Sequence, residues 1–206
     1  MPHDTPRLPP PRVVVADGAP IDAGRKALVK RPVVAIPLVL WLFAWSFWAL
    51  WGVFVPLMVL FVGRNPRPVW KEIAGFLQYV LRVTAYLSLT VEPFPGYRNK
   101  NHDDYPVSLE LAYPEHLSRW LALARIVLNP LLSVVGFALI LIMATATLVQ
   151  LLTVLVHGRP DPRVTAFQVR QLSVHAHTFG FLLSLTDELP WRPRPVKSVD
   201  GALGGQ

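Results

Sequence analysis

Two stretches without a formal charge limit what this chain can fold into. Arg31 and Arg64 bracket 32 residues, Pro32 to Gly63. Arg125 and Arg159 bracket 33 more, Ile126 to Gly158, with His157 neutral. About 18 consecutive apolar residues suffice for a membrane-spanning helix, and both runs exceed that. At about 1.5 Å per residue each outreaches a hydrocarbon core of roughly 30 Å, so such a helix must tilt, kink or project into the headgroups. Pro37 and Pro56 in the first run and Pro130 in the second each remove a backbone donor. The first run starts too late and runs too long for a signal peptide, and it lacks a small-residue cleavage pattern.

Charged residues are 16% of the 206, against about 25% in an average soluble domain. Mean hydropathy is +0.39. These values argue against disorder and against an ordinary water-soluble domain. The absence of cysteine removes disulfides, zinc–thiolate sites, iron–sulfur clusters and thiol nucleophiles together. The net charge of +7 comes from basic residues flanking the apolar runs. The expected partner is therefore a lipid bilayer with anionic headgroups, not nucleic acid.

Two further segments, 69–90 and 164–186, carry helical spacing, as in Ile73, Phe76, Leu77, Val80 and Leu81. Polar residues interrupt both. Each is long enough to span a membrane and polar enough to lie in its interface. The two halves of the chain echo one another. Gly63-Arg64 recurs as Gly158-Arg159, Pro66-Arg67 as Pro162-Arg163, Leu87-Ser88-Leu89-Thr90 as Leu183-Ser184-Leu185-Thr186, and Glu92 as Glu188. Arg31 with Pro37 echoes Arg125 with Pro130. Each half reads as a long apolar helix, a Gly-Arg-Pro turn and an amphipathic helix.

The expected fold is an all-α integral membrane protein of two repeated helical hairpins, with two long spanning helices and two amphipathic ones. The first repeat covers 12–95, with helices 32–62 and 69–90. The second covers 118–191, with helices 118–156 and 164–186. A soluble connector, 96–117, separates them. Alternation at Val107, Leu109, Leu111 and Tyr113 predicts a strand over 105–113, in a possible short β-hairpin. Arg12 to Ala16 is the candidate partner strand. Tails 1–11 and 192–206, rich in Pro and Gly, read as disordered. If all four helices cross, 11 Lys and Arg fall on one side and 5 on the other; with the amphipathic helices on the surface the split is 10 to 8. The sharper separation favours four crossings with both termini cytoplasmic.

These landmarks resemble domain-of-unknown-function family 4389, an uncharacterised bacterial membrane protein family, present here as a tandem duplication. The carriers in the first copy are Gly63, Arg64, Pro66, Phe76, Tyr86, Leu89, Thr90, Glu92, Pro93, Phe94 and Pro95. In the second copy they are Gly158, Pro162, Phe167, Leu185, Thr186, Asp187 and Pro190. The second copy departs at Trp191, where an aromatic-rich ending is usual. The resemblance implies an architecture and a bacterial inner membrane location, and it implies no chemistry.

Candidate site residues are few. Trp41, Trp45 and Trp48 recur at i, i+4 and i+7, which suits packing on lipid or a partner helix. A flat cofactor such as a quinone, carotenoid or chlorophyll is the alternative. His175 and His177 form the one metal-like pair, but residues two apart on a helix face different ways. They read as polar residues of an amphipathic helix, a heme-axial histidine being the alternative. Arg82 and Arg170 are intramembrane polar candidates, with Glu72 and Asp187 as possible partners and interfacial snorkelling as the alternative. No phosphate loop, nucleophile elbow or metalloprotease motif is present. The expectation is a non-catalytic accessory or scaffold subunit that binds other membrane protein subunits, without metal or cofactor. A small transporter or lipid-handling protein is the alternative.

Overall fold

Glycine and proline punctuate the chain where the Gly-Arg-Pro motifs fall. The computed structural model describes residues 12–15, 25–49, 54–96 and 105–187. Strand β1 (Arg12–Val15) precedes α1 (Arg25–Ala49), α2 (Val55–Val62) and α3 (Arg67–Leu87). Strand β2 (Val107–Glu110) precedes α4 (Arg119–His157) and α5 (Pro162–Leu182). Gly63 and Gly158 end α2 and α4 in the left-handed region, at φ 76° and 73°. Their N–H groups donate to Val59 O and Val154 O, a cap that favours glycine because it has no Cβ. Prolines at the first turn then start α3 and α5.

Each second helix returns along the first. The Trp45 ring lies against Phe76 and Tyr79, and Arg31 reaches Tyr86 O. On the other side Gln150 Nε2 donates to Thr165 Oγ1 at 2.9 Å, Gly136 faces the Phe179 ring, and Arg125 reaches Thr186 O. Two hairpins result, α1–α2 with α3 and α4 with α5.

Several expectations need correction. Within the first apolar run, expected as a helix over 32–62, the described helices are α1, which begins at Arg25, and α2, from Val55; residues 50–53 lie outside the described residues. Pro56 stands in the first turn of α2, where its missing N–H costs no helical hydrogen bond. The second helices end at Leu87 and Leu182, short of 90 and 186, because Leu89 and Ser184 turn left-handed at φ 62° and 56°. Thr90 and Leu185 N–H groups then reach back to Ala85 O and Gly180 O, at 3.0 and 2.9 Å. These two ends lie 95 residues apart. The Leu-Ser-Leu-Thr identity, at 96, is one residue out of step with the backbone it decorates. Among the described residues no β-hairpin forms within the connector. The strand there is Val107–Glu110, and it pairs antiparallel with β1, Arg12 opposite Glu110 and Val15 opposite Val107. Among the described residues, α4 is the one helix long and apolar enough to cross a membrane. Polar and charged residues disqualify α3 and α5.

The elements stack in three layers. The outer layer is α1, α2 and α4. Leu117 N–H donates to Gly63 O at 3.2 Å, so α4 starts where α2 ends and packs back along α2 and α1. The middle layer is α3 and α5, antiparallel to each other: Trp70 Nε1 donates to Leu185 O at 3.3 Å, and Thr90 Oγ1 to Gln168 Oε1 at 3.4 Å. Successive residues Leu81, Arg82 and Val83, and His175 to Thr178, are all buried. Over these stretches both middle helices are covered on every side, while Lys71 and Glu72 on α3 and Phe167 and Arg170 on α5 are exposed. The third layer is the β pair and connector, with β2 on α3 and β1 on α5. The connector runs back along α3: Val91 O meets Arg31, Val107 O meets Arg82, and Tyr113 Oη donates to Asn65 O. Its two ends therefore lie at opposite ends of the helices. The expected tails lie outside the described residues.

Candidate functional site

Two arginines close the mouths of the hairpins. Arg31 Nη1 donates to Tyr86 O at 2.7 Å and Nη2 to Val91 O at 3.2 Å; its guanidinium sits 4.8 Å over the Tyr86 ring. Arg125 Nη2 donates to Thr186 O and to Asp187 Oδ1, the latter at 2.9 Å, and stacks 4.5 Å over the Phe181 ring. Tyr86 and Phe181 lie 95 residues apart, as do Val91 and Thr186. A planar fork that bonds carbonyls while stacking on an aromatic face is a geometry lysine cannot supply. The sequence reading used both arginines only as boundaries of the apolar runs. The sign that marked them was their recurrence with Pro37 and Pro130.

A polar cluster fills the middle layer. Ser88 Oγ and Thr90 Oγ1 are 2.8 Å apart, and Thr90 reaches the fully buried Gln168. His175 Nδ1 lies 2.8 Å from Gln171 O, and its ring stacks on Phe179 at 6.0 Å. His175 and His177 are both buried, and burial pushes both imidazoles below their ordinary value. Among the described residues no group of three or more His, Cys, Asp or Glu side chains is placed to hold a metal ion.

Arg82 turns inward, 4% exposed. Its Nε donates to Val107 O at 3.1 Å, and its guanidinium lies 5.0 Å over the Tyr105 ring. Tyr105 Oη in turn donates to Pro93 O at 3.0 Å, and burial pushes this phenol up. The partner of Arg82 is thus the connector. Arg170, the other candidate, is exposed on α5. Asp187 pairs with Arg125 instead. The tryptophan stripe divides: Trp45 packs in the α1–α3 seam, Trp41 is exposed, and the Trp48 side chain lies outside the described residues.

Two clefts open on the surface. One of about 570 Å³ adjoins the Gly63 turn, lined by Arg64, Arg67, Tyr113, Glu115 and His116, with Arg67 stacked 5.2 Å over Tyr113. Its two guanidinium groups suit an anion. The other, about 530 Å³, lies between α4 and α5, with Leu141, Val149, Val164 and Phe167 on its walls and Arg163 among them. The largest apolar feature is α4 itself. Only Ala122, Arg125, Leu132, Gly136, Met143, Gln150 and Val154 are buried, a narrow stripe along 39 residues.

Residues 119–193 match the family described as Domain of unknown function (DUF4389). That span holds α4, its turn and α5, so the match covers one hairpin. No curated protein and no solved structure matches the chain.

Proposed function

We propose that this protein is a non-catalytic membrane protein, an accessory or scaffold subunit of a larger assembly in the bacterial inner membrane, built by duplication of one hairpin. The observation that carries the reading is the exterior of α4. In its most apolar 18-residue window only 17% is buried within the chain. Exposed apolar patches above a few hundred Å² on a soluble monomer mark an interaction or membrane surface. Duplication is supported by the two arginine clasps, the left-handed helix ends and the two strands, each recurring at 94 or 95 residues. Buried Arg31 and Arg82 bond backbone carbonyls, and Arg125 bonds Thr186 O and Asp187, which suits a structural role.

Membrane fractionation tests the first part. The protein is expected in the pellet after carbonate washing; recovery in the supernatant would remove the foundation. Purification in mild detergent with mass spectrometry tests the second, and a stoichiometric protein partner is the expected result. The cleft between α4 and α5 favours a second reading, a lipid-handling protein or small transporter. A bound lipid without a partner would select it.

A further inference from the structure

We infer that the molecule lies flat in one leaflet. The layer of α1, α2 and α4 is immersed among acyl chains, and the β pair and connector face water. The inference rests on the membrane reading above and adds an orientation to it.

Four observations on the page converge. The first is length. The uncharged part of α4 and its cap, Ile126 to Gly158, extends about 50 Å at roughly 1.5 Å per residue, against a core of roughly 30 Å. An in-plane helix has no such limit. The second is the sheet. β1 and β2 make a two-stranded sheet, placed part-way along α3, where Val107 meets Arg82. Beyond each strand no further strand is present among the described residues. If α4 crossed the bilayer with α5 and α3 alongside, those open edges would sit at hydrocarbon depth. Lipid-exposed sheet edges do not occur there, because their N–H and C=O groups find no partners.

The third observation is charge. Arg64, Arg67 and Arg119 are exposed where α2 meets α4, and Arg159 and Arg163 are exposed at the far end of α4. A crossing protein gathers such residues on one side. A flat one offers both ends to anionic headgroups of the same leaflet. Trp120, 81% exposed beside Arg119, is an interfacial anchor at that rim. The fourth is sidedness. Phe61, Val127, Val134 and Phe137 are exposed on the outer layer. Glu92, Glu110 and Glu115 are exposed on the connector side.

The native chain has no cysteine, so single-cysteine labelling of the full chain is direct. Glu92→Cys and Glu115→Cys lie near opposite ends of the connector. In intact cells with an impermeant maleimide, a flat molecule labels at both or at neither, and both label after permeabilisation. Labelling of one and protection of the other overturns the inference and leaves the membrane reading standing. Loss of the protein from the membrane pellet overturns the membrane reading itself. A second measurement uses a fluorophore at Val127→Cys, Leu141→Cys or Leu152→Cys, on one face of α4. The vesicles are phosphatidylethanolamine with phosphatidylglycerol, and the quenchers sit at known depth. Equal depth at all three supports the flat orientation. A deepest position at 141 with shallow ends overturns it.

Discussion

Arg31 and Arg125 each bind a segment 55 to 62 residues away, and that distance explains why sequence reading missed them. Local periodicity reports which residues share a helix face, and carries no information about which distant carbonyl a guanidinium will meet. Arg82 was legible as a charge among apolar neighbours, with an inward role and interfacial snorkelling both open, and its partner in β2 was not. Arg125→Ala is expected to destabilise by about 1–3 kcal/mol, the cost of leaving buried groups unsatisfied. Arg125→Lys should not restore the loss, lacking the planar fork. Arg170→Ala, on an exposed side chain, should stay within about 0.5 kcal/mol. Thermal unfolding in detergent measures all three. The histidines add a pH dependence. Burial lowers the folded pKa of His175 and His177 from 6.5, so the unfolded chain binds more protons on acidification. Stability should therefore be full above about pH 7 and fall as pH drops through 6.5 and below. A His175→Gln, His177→Gln double variant should flatten that part of the profile in a melting-temperature series.

Helices and their ends were the most legible elements, because caps are local. Gly63 and Gly158 stop their helices as the Gly-Arg-Pro motif predicts. Gly63→Ala and Gly158→Ala should each cost about 1–2 kcal/mol, since a Cβ at positive φ meets the following carbonyl oxygen. Nothing lies within 4 Å of the Cβ position at Gly158, so its loss isolates the backbone term; denaturant titration would resolve it. The covering of α3 and α5 was not legible. Amphipathic spacing such as Ile73, Phe76, Leu77 and Val80 announces one buried face. The remaining face is covered by β1, β2 and the connector, whose alternation is too short to say what it packs on. The strand partner was legible, since Arg12-Val13-Val14-Val15 is a β-branched run before the first apolar helix, and β1 pairs with β2 as expected. The internal repeat hinted that a matching strand would precede the second.

The choice between crossing and lying flat is a property of the assembled layers. Counting charges favoured four crossings, because landmarks that recur at a nearly fixed offset leave the relative direction of the two segments open. The fold sets the hairpins in opposite directions, which places basic residues at both ends. Val134→Asp, on the exposed outer face, should weaken membrane association. An aspartate at the centre of an apolar helix costs about 2.5–3.5 kcal/mol on insertion scales. Glu110→Gln, on the aqueous side, should leave it unchanged; co-sedimentation with vesicles distinguishes them. The pairing of β1 with β2 also sets an order of assembly. Arg12 leaves the ribosome about a hundred residues before Glu110, on the order of ten seconds at typical synthesis rates. Through that interval β1 has no partner, and α3 lacks both the strand and the helix that cover it. The first hairpin therefore has no finished interior of its own while the chain is being made. On the membrane reading proposed above, the bilayer receives α1 and α2 early and holds them until α5, the last of the described helices, closes the structure.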